Sequence, residues 1–216
     1  MRSIYENDAL VGDLTRSLMA SGHRIFQIFR LGKSDAEHVA ALLDLARFPQ
    51  NALVLDAGSG IGAVAAEMAK QRPDLRFVLL NISSAQLALS PPHMQWCQAP
   101  MENIPFDDGT FDAVMVNYAL GHADLERALA EFHRVLKPGG VLFIYDMTAD
   151  DPACLLDTLS YRLHTHDAVV STADGFDVDD VRYVDGDRSA MVGIAPPDFD
   201  RIMEGVRPVA YRFVKR

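Results

Sequence analysis

"VLDAGSGIGA", residues 54–63, is the stretch on which the reading of this chain turns. An apolar run closes on Asp56, and glycines follow at alternate positions: Gly58, Gly60 and Gly62. A strand that gives way to a glycine-rich turn and then a helix lets a ligand come close to bare backbone. It does so where an open parallel sheet offers a crevice. Taken alone, the turn fits more than one use. Gly58-x-Gly60-x-x-Ala63 matches the relaxed dinucleotide fingerprint, and Gly58-x-Gly60-x-Gly62 matches a nucleoside-binding loop. A tight strand-to-helix turn without any ligand is the third reading.

Working outward, apolar runs alternate with amphipathic segments. "ALVLDAG" (52–58), "RFVLLNI" (76–82), "HMQWCQA" (93–99), "FDAVMVNYAL" (111–120) and "VLFIYDM" (141–147) read as strands. Several are apolar throughout, as strands buried on both faces are. Between them, Leu125, Leu129, Phe132 and Leu136 fall at helical spacing, and Lys137-Pro138-Gly139-Gly140 stops the helix. The alternation predicts βαβ units and an α/β domain. Residues 1–46 read as helical, through "DLTRSLMASGHRIFQIFR" and "DAEHVAALLDLA". A helix is predicted from about Pro152 to Leu163, then a polar Asp-rich stretch. "FDVDDVRYV" (176–184) and "RPVAYRFVKR" (207–216) read as closing strands paired with each other. A single domain, 1–216, is expected.

Composition narrows the partners. The net charge of −10 contains no basic run, and nucleic-acid binding draws much of its affinity from clustered Lys and Arg. No nucleic-acid partner is expected. Cys97 and Cys154 show no CxxC spacing, so neither a disulfide framework nor a Cys-built zinc site is expected. The charged start "MRSIYENDAL" is unlike a signal peptide, and no apolar stretch reaches membrane-span length. A cytoplasmic protein without a membrane span is predicted. Whether it forms a homodimer is open at this stage.

Three segments stand in a fixed order: the Asp56-x-Gly58-x-Gly60-x-Gly62 loop, "MENIPFDDGTFDAV" (101–114) and "RVLKPGGVLFIYD" (134–146). Together, over about residues 50–147, they resemble class I S-adenosylmethionine-dependent methyltransferases. The resemblance implies a Rossmann-like, seven-stranded, mostly parallel sheet with an antiparallel last strand and helices on both faces. It also implies a helical lid (1–46), a cofactor-binding core (50–147), and a C-terminal helix with closing strands (148–216). Asp56, Gly58, Ser59 and Gly60 would line the methionine part of S-adenosylmethionine, whose product is S-adenosylhomocysteine. Asn81 stands where relatives carry the acidic residue that takes the ribose hydroxyls; an amide can accept from one and donate to the other. Ile82 would pack on the adenine, with Ser83 capping the next helix and Gln86 completing an "IS-x-x-Q" pattern. Pro100 replaces a common acidic residue, leaving Met101, through its backbone N–H, and Glu102 beside it. Asn117 would stand near the sulfonium. The "IS-x-x-Q" pattern resembles the part of the family that methylates small molecules, such as natural products, phenols, amines and terpenoids.

Methyl transfer asks for in-line positioning, a dry pocket and sometimes a base. The candidates come from "VNYALGHAD": Tyr118, and His122, whose imidazole suits a base at neutral pH or simply caps or packs. Tyr5, His23, Phe26, Phe29 and Arg30 are lid-side candidates for the acceptor, with Tyr161, His164 and His166 behind the fifth strand. Arg24, Arg30 and Arg162 would suit an anionic acceptor. No protein metal site is assigned, and the acidic run Asp174–Asp187 reads as a solvated loop. The expected activity is methyl transfer to a small-molecule acceptor. The alternatives are an NAD(P)-dependent oxidoreductase and a cofactor-poor binding protein.

Overall fold

Strand pairing follows directly from the apolar runs. In the computed structural model, which describes residues 7–22, 25, 27–150, 161–187, 201 and 203–216, seven strands form one sheet. They are β1 (Leu53–Ala57), β2 (Arg76–Asn81), β3 (Gln95–Gln98), β4 (Phe111–Asn117), β5 (Leu136–Thr148), β6 (Phe176–Tyr183) and β7 (Arg207–Lys215). Their order is β3-β2-β1-β4-β5-β7-β6. β1 to β5 pair in parallel, and β7 runs antiparallel to both β5 and β6. The predicted seven-stranded, mostly parallel sheet is the observed one, and the two closing strands do pair with each other.

Six helices are described: α1 (Asp8–Ala20), α2 (Asp35–Ala46), α3 (Ala63–Gln71), α4 (Ser84–Leu87), α5 (Leu125–Val135) and α6 (His166–Thr172). Successive strand residues point to opposite faces, and each face is apolar because both are covered. Val54, Leu79, Met115 and Phe143 pack with Val39 and Leu42 of α2 and Met68 of α3. Leu55, Leu80, Val114 and Ile144 pack with Leu129 and Phe132 of α5 and Val169 of α6. Each fully buried Leu, Val or Phe contributes about 1.5–3 kcal/mol, so the two layers dominate stability.

Local signals explain most helix starts. Asn7, Ser34, Asp124 and Thr165 each accept a backbone N–H of the first turn of α1, α2, α5 and α6. Three predictions are corrected. The first long helix ends at Ala20, where Ser21 and Gly22 (φ +87°) turn the chain, so Phe29 and Arg30 lie outside any helix. Arg30 instead forms a two-way backbone bridge with Asp187, at 2.8 Å in each direction. Residues 161–165 are not helical, and α6 lies within the stretch read as polar loop. The rest of the helix expected from Pro152, together with Cys154, Tyr5, His23, Arg24 and Phe26, lies outside the described residues.

The acidic run is held by ion pairs. Arg47 meets Asp179 at 2.6 Å and Asp180 at 3.1 Å, and Arg212 meets Asp179 at 2.6 Å. This ties the C-terminal end of α2 to the outer hairpin.

Candidate active site

The carboxyl ends of β1, β2, β4 and β5 converge on one edge of the sheet, and the notable side chains gather there. Asp56 lies in the central strand, in register with Leu79 of β2 and Met115 of β4. Its side chain is buried, and one oxygen, Oδ2, has no hydrogen-bond partner. Burial alone pushes its carboxyl up to about 7. Two other buried oxygens at this edge also lack partners: Ser59 Oγ, in the turn after β1, and Asn117 Oδ1, at the end of β4. Buried polar groups are almost always paired in folded proteins, so a cluster of unpaired ones calls for a polar ligand.

The glycine turn leaves room beside them. Gly58 and Gly60 both have positive φ, +78° and +56°. A Cβ on Gly58 would strike Ala119 and the Met101 methyl, whereas one on Gly60 would point into open space. Glycine at 58 is required by the protein's own packing; at 60 the backbone faces open space. The turn is fixed by Gly58 and Ser59 N–H groups donating to Leu80 O at 2.8 and 3.1 Å.

The end of β2 is wired into this turn. Asn81 Nδ2 donates to Gly60 O (3.1 Å) and to Gln86 Oε1 (2.9 Å), and Gln86 Nε2 donates to Thr15 Oγ1 of α1 (3.1 Å). Both amide hydrogens of Asn81 are therefore committed within the protein, which leaves Oδ1 as its acceptor. Next to it Ile82 is 51% exposed, an apolar side chain on which a flat ring could lie. Asp8, in the first turn of α1, accepts from Ser83 Oγ (2.5 Å), Ser84 Oγ (2.6 Å) and Ala85 N (3.1 Å). These bonds hold its carboxyl below the usual range, those from Ser83 and Ser84 foremost. The amino-terminal helix is thus latched to the start of α4. Glu102 Oε1 takes Asp124 N at 2.8 Å, which commits one of its oxygens to the entry of α5.

Tyr118 takes a role different from the one its position suggested. Its hydroxyl accepts from Phe29 N (3.1 Å) and donates to Phe29 O (3.3 Å), while Tyr145 donates to the same carbonyl at 3.0 Å. Burial first, then Tyr145, raises its ionisation well above the ordinary phenol value. The hydroxyl anchors the chain at Phe29. His122 is exposed, in a short 3-10 turn (Leu120–His122), and stands edge-on to Tyr161 with ring centroids 4.7 Å apart. Of the other lid-side candidates, Phe29 is buried, His166 stacks on Tyr211 at 5.8 Å, and Arg162 is exposed.

Sequence reasoning passed over Asp146. It sits near the end of β5, 4% exposed, accepting from Tyr161 Oη (2.5 Å), Met147 N (2.7 Å) and Leu120 N (3.1 Å). A carboxylate closing the apolar run "VLFIY" was the available signal.

A family profile described as a methyltransferase domain matches residues 55–144, the span from β1 through most of β5. Over those residues the chain is similar to the methyltransferase family. It is 28% identical over 157 residues to the ubiquinone/menaquinone biosynthesis C-methyltransferase UbiE of an Enterobacter species, covering 67% of this chain and 58% of the relative. To the demethylmenaquinone methyltransferase of Chlorobaculum tepidum it is 35% identical over 97 residues, covering 43% and 40%. The chain thus spans about half the length of these curated relatives. Two solved structures share the fold. Geranyl diphosphate C-methyltransferase from Streptomyces coelicolor, in complex with Mg2+, geranyl-S-thiolodiphosphate and S-adenosyl-L-homocysteine, superposes with a TM-score of 0.79 at 14% identity over 99% of both chains. The [4+2]-cyclase SpnF gives 0.76 at 16% identity over 96% of both. At such identities the likeness is one of fold, and the cyclase shows that this fold does not dictate one reaction. The relatives favour the methyltransferase reading of the glycine loop over the dinucleotide one.

Proposed function

We propose that this methyltransferase domain binds S-adenosylmethionine at the glycine turn and transfers its methyl group to a small-molecule acceptor. The observation that carries the reading is Asp56 Oδ2, a buried carboxylate oxygen without a partner, beside a turn open at Gly60. The residues present fit the group: a carboxylate for an ammonium, side-chain-free backbone for the methionine chain, and an exposed apolar face at Ile82 for adenine. When bound, the cofactor supplies an electrophilic methyl on sulfur.

The chain's own residues do the rest. Asp56 accepts from the amino group, with Ser59 and Asn117 offering oxygens on the same edge. Asn81 offers one acceptor to the ribose, a weaker hold than a carboxylate that takes both hydroxyls. Met101, at the mouth of the turn against Gly58, offers its backbone N–H to the adenine, with Glu102 bracing α5. His122 faces the acceptor side and takes the proton that a methylated carbon or heteroatom releases. The names of the relatives put carbon forward as the atom methylated. The single-domain division, with α1 as part of a lid, belongs to the same reading. So do an acceptor other than nucleic acid, supported by the charge of −10, and a cytoplasmic setting.

Calorimetry with S-adenosylhomocysteine and with NADH tests the reading. Binding of the first and not the second is expected, with Gly60→Val losing it because a branched side chain fills the cleft at a left-handed position. Binding of NADH alone, or an unchanged dissociation constant in Gly60→Val, overturns the assignment.

A further inference from the structure

Asp146 is a buried carboxylate for which cofactor binding has no use. Three of its bonds each reach a different piece of chain. Met147 N belongs to its own strand, Leu120 N to the turn after β4, and Tyr161 Oη to the non-helical segment that leads into α6. The last two pieces also grip each other. Arg162 N donates to Gly121 O at 2.9 Å, and the Tyr161 ring lies so close over Gly121 that any Cβ there would collide with it. The same ring stands edge-on to His122, interplanar angle 85°.

We infer that Asp146 is the positioning residue for His122: by bonding the Leu120 backbone and the Tyr161 hydroxyl together, it fixes the imidazole at the acceptor side and places a carboxylate behind it. The inference rests on His122 being the group that accepts the proton. Asp146 touches neither acceptor nor cofactor in this role. The arrangement needs a carboxylate, since three donors converge on two oxygens, and an amide would turn an N–H towards one of them. Burial pushes the Asp146 carboxyl up to about 6, and the bonds from Tyr161, Met147 and Leu120 keep it from rising further.

Several charged and titrating groups share this neighbourhood. Tyr118, Tyr145 and Tyr211 feel the Asp146 charge, each raised mainly by burial. His164, whose ring bonds at Leu120, is lowered by burial and then by Arg162, with Asp124 opposing. A titration near His122 must therefore be read with Asp146, His164, Asp124 and Arg162 in view.

The test needs no acceptor. NMR follows the His122 ring, assigned by its loss in His122→Gln, through a pH titration of the full chain. In Asp146→Asn the midpoint is expected to fall by on the order of half a unit, as a carboxylate within a screening length is removed. In Tyr161→Phe the ring resonances are expected to move, because the tether is cut while the aromatic ring remains. S-adenosylhomocysteine affinity, by calorimetry, is expected to stay at the wild-type value in both. An unmoved His122 midpoint and unmoved resonances overturn the inference, and Tyr161→Phe alone can do so if Asp146→Asn fails to fold. Failure of wild type to bind S-adenosylhomocysteine would instead overturn the functional reading, leaving the His122 titration to judge Asp146 by itself.

Discussion

Two buried aspartates lie near the carboxyl ends of β1 and β5, on either side of β4, and they are opposites. Asp56 on β1 points to the α2–α3 face and has an oxygen with no partner; Asp146 on β5 points to the α5 face and has three donors. Both are desolvated. Only Asp146 has bonds that offset the cost, and its carboxyl rises to about 6 where that of Asp56 rises to about 7. A carboxylate left unsatisfied inside a protein is held for something that arrives later, whereas one fully satisfied is holding something already there.

The comparison can be broken most directly by Asp56→Asn. Folded Asp56 resists ionisation, so its contribution to stability is full below the unfolded value of about 4 and is lost as pH rises through about 7. At pH 8 the amide is expected to stabilise the ligand-free protein by about 2–4 kcal/mol, measured by urea unfolding. The gap closes below pH 4. The same variant loses about a hundredfold or more in S-adenosylhomocysteine affinity, the cost of a charge-assisted bond. Asp146→Asn is expected to gain less, because the relief from desolvation is offset by about 1–2 kcal/mol as a donor faces a donor. If Asp146→Asn gains as much stability as Asp56→Asn, the contrast is wrong.

A smaller effect sharpens it. A ligand ammonium needs ionised Asp56, so calorimetric affinity should fall by up to about tenfold per pH unit below 7 and level off above it. Affinity flat from pH 5.5 to 8, a window of about two units spanning the carboxyl, would remove Asp56 from the site. Smaller again is Asn81→Asp. It puts a carboxylate against Gly60 O and Gln86 Oε1, and is expected to cost about 1 kcal/mol of unfolding free energy.

The sheet was legible because its strands are apolar on both faces and its turns carry Gly, Pro and Asp, which leaves a strong period and clear breaks. The glycine turn and Asp56 were legible for the same reason. Asp146 was not, because a carboxylate at a strand end looks the same whether it meets water or three buried donors. Asp8 was less so, its partners lying 75 to 77 residues away. Tyr118 was read by position alone, yet its hydroxyl is spent on Phe29, 89 residues distant. The break after Ala20 had its signal in Ser21-Gly22, and the helical spacing of the apolar residues beyond it masked that signal.

The bonds linking Gly60, Asn81, Gln86 and Thr15 have an evolutionary consequence. Because one amide serves both the turn and the amino-terminal helix, position 81 cannot drift to a carboxylate without leaving the Gly60 carbonyl unmatched and turning the Gln86 side chain around. Changes at these sites are coupled and will combine non-additively. The amide at 81 is thus kept in place by its neighbours' chemistry, and a lineage carrying it can recover an acidic residue there only by remaking the latch between helix and turn.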